Sequence, residues 1–327
     1  MSIYVPGASP VIPSGAKESL SHDIADYPDG IVLPIDKPWR WTSADVIRKV
    51  KFAAFRHFRK KNLKVGHAGT LDPLATGVLL VCLGPACKRA QEFQDHDKEY
   101  VADIRFGATT PSYDLEKEVD RTFPYDQVTE EAVRAVLPSF LGPQEQVAPL
   151  FSAKSVDGVR AYEMARKLYR NAQKGILDPD FDAAALETLH RSRITISDLE
   201  LLGFLEASAE TPRTNFFSPE KRSKKSCPTP DADAACSETV IPSVAKESLS
   251  STASSRINVA DTSSLGLPEA KIRIACSKGT YIRAFARDLG EALGTGAHLS
   301  GLVRTKTGAF RLEDALSLEE ALALLTD

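Results

Sequence analysis

The sequence contains no apolar run that approaches the roughly 20 residues needed to span a bilayer. Its N-terminus also lacks the basic-then-apolar pattern of a secretory signal. The five cysteines are odd in number and show no paired metal spacing with histidine, so we expect neither a disulfide framework nor a zinc site. These absences indicate a cytoplasmic protein. Cys82 and Cys276 lie in apolar runs and are predicted to be in the core.

Acidic residues are also missing from the stretch between Asp45 and Asp72. The chain has a net charge of −3, which by itself argues against an RNA partner. The distribution of charge favours an RNA partner, because basic residues accumulate in this stretch. They are Arg48, Lys49, Lys51, Arg56, Arg59, Lys60, Lys61 and Lys64, with His57 and His67 among them. Such a block favours phosphate contact, although a solvated helix face would also explain the charges.

The basic block leads into a glycine-bounded loop at 66–77, which is followed by an apolar segment at 78–84. Glycine permits close or strained backbone in such a loop. Asp72 is its one acidic residue, and Pro73 biases Asp72 towards extended backbone, so the carboxylate is presented at a bend. The alternative interpretation is that Asp72 caps a short helix with Pro73 at its first position.

The complete string GHAGTLDPLATGVLLVCLG at 66–84 resembles the catalytic motif of the pseudouridine synthases that modify the T-loop of tRNA, the TruB family. Three further segments resemble motifs of this family in the family's order: IDKPWRWTSADVIRKVK at 35–51, GTYIRAFARDLGEALGTGAHL at 279–299 and LVRTKTGAF at 302–310. The resemblance covers about residues 30–204 and 267–320.

The resemblance implies roles for individual residues. Asp72 matches the catalytic aspartate, and Arg283 matches the arginine that pairs with it. Tyr100 matches the tyrosine that packs against the target base and has been considered as a proton acceptor, although a tyrosine at the start of a strand is ordinarily a cross-strand packing residue. The resemblance also implies that His67 stacks in the space that the base vacates and that Leu302 lines the base pocket. Further substrate contacts are implied for Lys37, Gly69 and Arg160.

An argument independent of the resemblance also singles out Arg283. The apolar spacing predicts a helix that opens at Thr280 and ends at Gly294, with Arg283 in its first turn. A cation there opposes the helix dipole and is mildly unfavourable unless an anion faces it. We therefore expect Arg283 to pair with a carboxylate or a phosphate, and a surface arginine is the alternative.

The resemblance implies a mixed α/β (α+β) domain on a curved, mostly antiparallel sheet flanked by helices, with the active cleft across its middle. Residues 30–205 and 267–327 would form this single catalytic domain. Residues 1–29 are predicted to be a disordered N-terminal extension and residues 206–266 a disordered low-complexity insertion. The peptide VIPSxAKESLS occurs in both, at 11–21 and 240–250. No C-terminal RNA-binding domain of the PUA type is expected to follow.

The sequence departs from the family pattern at four positions: Pro111 in place of an aspartate, Ala148 of a proline, Phe151 of a tyrosine and Ser155 of a lysine. Pro111 places the hydrogen bonding of its loop in doubt. We also expect a local insertion around 171–190.

The function implied is isomerisation of a uridine in the T-loop of tRNA, at position 55, to pseudouridine. We expect a monomer that binds the T-arm and needs no cofactor. A catalytically silent RNA-binding or tRNA-folding protein on the same scaffold is the alternative. A retaining glycosidase fits less well, because it would need a second catalytic carboxylate about 5 Å away.

Overall fold

The computed structural model describes residues 20–149, 191–208 and 259–326, together with the backbone of 155–156 and 159–160. The helices are α1 (Ser43–His57), α2 (Ala90–Asp95), α3 (Glu130–Val136), α4 (Ile282–Ala292) and α5 (Leu318–Ala323). The strands are β1 (Ile31–Lys37), β2 (Val65–Ala68), β3 (Ala75–Leu83), β4 (Lys98–Phe106), β5 (Ala108–Thr109), β6 (Arg121–Thr122), β7 (Gly142–Val147), β8 (Ser155–Val156), β9 (Val159–Arg160), β10 (Arg191–Leu205), β11 (Glu269–Cys276), β12 (Ala297–Thr307) and β13 (Phe310–Arg311).

A nine-stranded sheet organises the described residues. Seven strands follow the order β1-β3-β12-β4-β11-β10-β7, while β2 pairs with β3 and β13 pairs with β12. All these pairings are antiparallel except the one between β12 and β3, which is parallel. The sheet is therefore mixed and mostly antiparallel, as the family resemblance implied. Its single parallel pair joins the two strands that carry the sequence motifs at 66–84 and 302–310.

Helix α1 begins with a capping box. Thr42 is the N-cap residue, and its side chain accepts from the amide of Asp45 while the Asp45 side chain accepts from the amide of Thr42. The apolar residues at helical spacing, including Val46 and Val50, are buried against the sheet. The basic residues between them consequently lie on the solvent side of the helix.

Helix α4 begins at Ile282, two residues later than Thr280, where the sequence pattern had placed its start. The Thr280 hydroxyl donates to the carbonyl of Ser277 and closes the preceding turn instead. Arg283 lies in the first turn of the helix, as expected. Gly294 follows the helix with a φ of +70°, a conformation that glycine adopts without steric cost.

Ordered packing extends beyond the domain boundaries that the sequence suggested. Leu20 and Ile24 are buried in the core, and the amide of Ala260 donates to the carbonyl of Leu115. Apolar side chains in otherwise polar segments thus contact the sheet domain. The rest of the expected extension and insertion, at 1–19 and 209–258, lies outside the described residues, as do most of the repeated peptide, the expected insertion at 171–190, and Phe151.

Cys82 and Cys276 are fully buried, which confirms their prediction as core residues. In the part of the chain that the structure describes, no helix combines the length and apolar character needed to cross a membrane.

Candidate active site

Asp72 lies in the loop between β2 and β3, at the edge of the parallel strand pair. No helix begins there, so Asp72 is not the helix cap considered above. Its carbonyl accepts from the amide of Ala75, and the next carbonyl, of Pro73, accepts from the amide of Arg40 at 2.9 Å. The Asp72 side chain remains 40% exposed. The loop therefore fixes its own backbone while presenting the carboxylate to solvent.

Two buried side chains hold this loop from the side of β1 and α1. The hydroxyl of Ser43 donates to the carbonyl of Leu71 and accepts from its amide, at 3.0 and 2.9 Å. The Lys37 ammonium donates to the carbonyls of Pro38, Trp41 and Pro73. Burial lowers the pKa of Lys37 to about 7, although Asp72 and other acids oppose the shift. Lys37 is fully buried, so its contacts support the loop from below, whereas the sequence had suggested a substrate contact.

Arg304 on β12 holds the other end of the loop. Its guanidinium donates to the carbonyls of Val78 at 2.7 Å, Gly69 at 3.2 Å and Thr70 at 3.4 Å. The residue is only 2% exposed. Buried carbonyls need donors, and one rigid guanidinium provides them for three residues of the motif at 66–84. The loop conformation therefore depends on a strand that is far away in sequence.

Two glycines of the loop at 66–77 have positive φ. Gly69 has a φ of +94° and Gly77 a φ of +102°. At Gly77 a Cβ would lie 2.2 Å from the carbonyl oxygen of Arg304, its partner on the parallel strand. Gly77 thus permits β3 and β12 to approach, whereas the space beside Gly69 is open to 3.7 Å.

The predicted pair of Asp72 and Arg283 is confirmed. Arg283 Nε lies 2.9 Å from Asp72 Oδ2 and 3.7 Å from Asp114 Oδ2, and Nη1 donates to the carbonyl of Ser112. The Arg283 side chain is 6% exposed. Burial disfavours its charge, but Asp72 and Asp114 outweigh this effect, so the pKa of Arg283 lies above its usual value. A buried cation therefore connects a half-exposed carboxylate to a buried one.

Asp114 is the buried carboxylate, and sequence reasoning assigned it no role. Its Oδ1 accepts from the Ser112 hydroxyl at 2.6 Å and the Glu116 amide at 2.9 Å. Burial raises the pKa of Asp114, Arg283 opposes this rise, and Asp72 adds to it. The loop is hydrogen-bonded although Pro111 replaces the usual aspartate, since the Thr110 hydroxyl also donates to the carbonyl of Asp114.

The strand register brings the remaining predicted residues to the same part of the sheet. Arg304 on β12 lies opposite Tyr100 on β4 and Gly77 on β3, and Leu302 lies opposite Ala75. Tyr100 and Leu302 are 8% and 9% exposed. Burial raises the pKa of Tyr100, although Arg304 opposes the shift, so the phenol keeps its proton at neutral pH.

His67 lies on β2, opposite Val81 of β3 and two residues before Gly69. It is partly exposed, and burial together with the charge of Arg304 lowers its pKa. The lowered pKa favours the neutral imidazole at pH 7. Arg160 lies on β9, where the structure describes the backbone alone, so the prediction for its side chain lies outside the described residues.

Sequence reasoning missed the roles of Arg304 and Asp114. Arg304 directly follows two buried apolar residues of its strand, Leu302 and Val303, and a buried arginine must find acceptors. That signal could have marked it. Asp114 gave no comparable signal, because an aspartate in a loop of threonine, proline, serine and tyrosine is most simply a turn residue.

The mostly antiparallel sheet, with a single parallel pair beside the loop that carries Asp72, is the fold of pseudouridine synthases. A solved Cbf5–Nop10–Gar1 complex contains a chain with this fold, with a TM-score of 0.51 and 21% identity over 91% of this chain and 55% of that one. Residues 56–175 match the family model described as TruB family pseudouridylate synthase (N terminal domain), and residues 283–326 match that of the tRNA pseudouridylate synthase B C-terminal domain. The chain belongs to the TruB family of pseudouridylate synthases.

Its relatives include proteins named tRNA pseudouridine synthase B. That of Phocaeicola vulgatus is 41% identical over 294 residues, which cover 90% of this chain and 92% of the relative. That of Bacteroides thetaiotaomicron is 42% identical with the same coverage. That of Deinococcus radiodurans is 37% identical over 88% of this chain and 77% of the relative.

Proposed function

We propose that the chain converts the uridine at position 55, in the T-loop of tRNA, to pseudouridine, with Asp72 as the catalytic residue. The observation that carries the proposal is the half-exposed Asp72 carboxylate, held at 2.9 Å by the buried guanidinium of Arg283. Membership of the TruB family supports the same reaction. Of Asp72, Asp114 and Arg283, only Asp72 is exposed enough for a bound RNA to reach it.

The reaction breaks the N-glycosidic bond, rotates the base and joins it again to the ribose through carbon 5. It therefore needs a carboxylate aimed at the ribose and has no requirement for a redox group. The two ends of the loop are held by Arg304 and Lys37, so Asp72 is positioned before RNA binds. Such preorganisation removes the cost of ordering the group during the reaction.

The target uridine must leave the folded T-loop, which costs a few kcal/mol of stacking and pairing energy. We propose that His67 fills the space that it leaves, and that Tyr100 and Leu302 contact the extruded base. Gly69 would allow the RNA backbone to approach the loop, since it carries no side chain. The Arg160 side chain would add a contact to the T-arm.

We further propose that residues 30–205 and 267–327 act as one catalytic domain, that the protein works as a monomer in the cytoplasm, and that residues 1–19 and 209–258 are not needed for the chemistry. A chain without residues 1–19 and 209–258 should convert the same uridine at the same rate. Sedimentation of the full chain would test the monomer.

The test is pseudouridine mapping of an unmodified tRNA transcript after incubation with the wild type or with Asp72→Asn, together with a binding titration of each. Asparagine keeps the size of the side chain and removes its charge. We expect the wild type alone to convert position 55 while both proteins bind. If both bind and neither converts any uridine, the protein is an RNA-binding protein on this scaffold. Conversion at another uridine would contradict the assignment of the site.

A further inference from the structure

A cleft of about 490 Å³ opens beside β2, on the side of α1. Nine residues line it: Lys51, Phe55, Lys61, Asn62, Leu63, Lys64, Val65, Gly66 and Cys87. This volume lies within the usual range of small-molecule sites, which suits one nucleotide and not a duplex. Sequence analysis had marked the basic block, but nothing in the proposed chemistry uses this part of it.

The charge of the cleft has one sign. Its three lysines, Lys51, Lys61 and Lys64, are all exposed, and no acidic residue is among the lining side chains. Among the residues that the structure describes, none of the three makes an ion pair, whereas Arg48 and Arg89 on neighbouring surfaces pair with Asp45 and Glu92. Three cations without carboxylate partners around one concave surface provide a site for an anion.

The cleft also contains an aromatic wall and an amide. Lys51 Nζ lies 5.3 Å from the centre of the Phe55 ring, so a cation–π contact holds the ammonium at the wall. Phe55 itself packs on the core, which fixes the ring. Asn62 is exposed and can both donate and accept hydrogen bonds. Cations, a fixed ring and an amide are the groups that bind a phosphate, stack on a base and contact its edge.

The cleft borders β2, the strand that leads into the loop of the candidate active site. Val65 and Gly66, which line it, are on β2, and the next residue is His67. An RNA strand that follows β2 to place a uridine at Asp72 would pass these lysines. An acidic protein would match the charge but would not explain the ring and the amide beside the strand that leads to the site.

We propose that this cleft is a second RNA subsite, which binds one phosphodiester and one base of the substrate RNA other than the modified uridine. The proposal rests on the proposed function for the identity of the RNA. Lys51 would leave the Phe55 ring and neutralise the phosphate together with Lys64, and the ring face that it frees would stack on the base. The subsite would raise affinity and leave the chemical step unchanged.

The test is titration of an unmodified tRNA transcript at several salt concentrations, in the Asp72→Asn background so that the RNA is not converted. For the double variant Lys51→Ala and Lys64→Ala, we expect affinity to fall about tenfold. The slope of log K against log salt should shrink by about 2, since each lysine that neutralises phosphate charge adds about 1 to it. Phe55→Leu should weaken binding by about fivefold or more without changing the slope, since stacking is not electrostatic.

The matched control is Lys88→Ala, which removes an exposed lysine next to Cys87 that does not line the cleft. It should leave affinity and slope nearly unchanged. An equal loss of affinity in the control, or no loss in the double variant, would overturn the proposal. An oligoglutamate peptide that competes as well as an RNA of equal charge would assign the cleft to an acidic protein and also overturn it.

The two proposals can fail separately. With Asp72 intact, the lysine variants should convert saturating tRNA at the wild-type single-turnover rate, and a lower rate would mean that the cleft takes part in the chemistry. If the wild type bound tRNA through these lysines but made no pseudouridine, the subsite would stand and the proposed reaction would fall.

Discussion

Nε of Arg283 lies 2.9 Å from Oδ2 of Asp72, although the two residues are far apart in the sequence. One end of this ion pair is buried and the other is 40% exposed. The Arg283 charge is therefore shielded from water, and it interacts with the carboxylate more strongly than it would in solvent. Only the carboxylate is accessible to a substrate, so the pair delivers negative charge to the open side of the sheet.

Replacing Arg283 by lysine should lower the rate of pseudouridine formation by about a hundredfold, a typical cost for removing one electrostatic interaction from a site. A lysine keeps the charge but lacks the planar fork that reaches Asp72, Asp114 and the Ser112 carbonyl together. Single-turnover conversion of tRNA measures this effect, and RNA affinity should change by no more than about threefold, because Arg283 is buried.

The matched control for this change is Arg273→Lys on β11, where the side chain is partly exposed. Arg273 pairs with Glu99, Asp198 and Glu200, none of which is a predicted site residue. Its replacement should leave the rate unchanged. A wild-type rate for Arg283→Lys would remove the pair from the mechanism, and an equal loss in both variants would show that the effect is not specific to the site.

Much of the fold could be predicted because the local patterns are clear. The capping box at Thr42 and Asp45 and the alternation in β10 and β11 each give one structure. An anionic partner for Arg283 was also predictable, since a cation in the first turn of a helix is unfavourable unless an anion faces it, and the family resemblance implied that this anion is Asp72.

The contacts of Arg304, Lys37 and Asp114 could not be predicted in the same way. Those of Arg304 depend on the order of strands in the sheet, which places β12 between β3 and β4, whereas those of Lys37 with Pro73 and of Asp114 with Arg283 depend on packing between segments far apart in the sequence. Local sequence does not encode that order. Lys37 illustrates the limit, because its type and its motif suggested a substrate contact, whereas burial directs its ammonium to three backbone carbonyls.

Arg304→Ala should reduce the rate of conversion by about ten- to a hundredfold, with a smaller change in RNA affinity. Without the guanidinium, the carbonyls of Gly69, Thr70 and Val78 lose their donor, and each buried unpaired group costs about 1–3 kcal/mol. The loop that carries Asp72 would then populate other conformations. Single-turnover rates and titrations on the same preparation separate the two effects.

A rescue experiment distinguishes this positioning role from a general loss of folding. Millimolar guanidinium should enter the cavity left by Arg304→Ala and restore part of the rate, whereas sodium chloride at equal ionic strength should not. No recovery, combined with a normal melting temperature, would contradict the proposed dependence of the loop on this side chain.

Gly77→Ala should destabilise the protein by about 3 kcal/mol or more, and Gly69→Ala by about 1–2 kcal/mol. Both glycines have positive φ, which costs other residues about 1–2 kcal/mol. Only at Gly77 would the added Cβ also meet backbone, at 2.2 Å from the carbonyl oxygen of Arg304, so that β3 and β12 must separate. Denaturant unfolding of the pair measures the difference, and equal losses of stability would contradict the close approach of these strands.

The buried carboxylate of Asp103 should make stability depend on pH. Burial raises the pKa of Asp103 from 3.8 to about 6, although Lys271, with its Nζ at 3.5 Å, opposes the shift. The folded state therefore binds more protons than the unfolded state between about pH 4 and pH 6, and the free energy of unfolding falls as pH rises through this window. Asp103→Asn, which cannot ionise, should be more stable than the wild type by about 2 kcal/mol at pH 8, and the two should converge near pH 4.

The control is Asp198→Asn, which removes an exposed carboxylate on β10 and should change stability by less than about 0.5 kcal/mol at either pH. A difference between Asp103→Asn and the wild type that did not vary with pH would show that altered packing or hydrogen bonding, and not the buried charge, determines the effect.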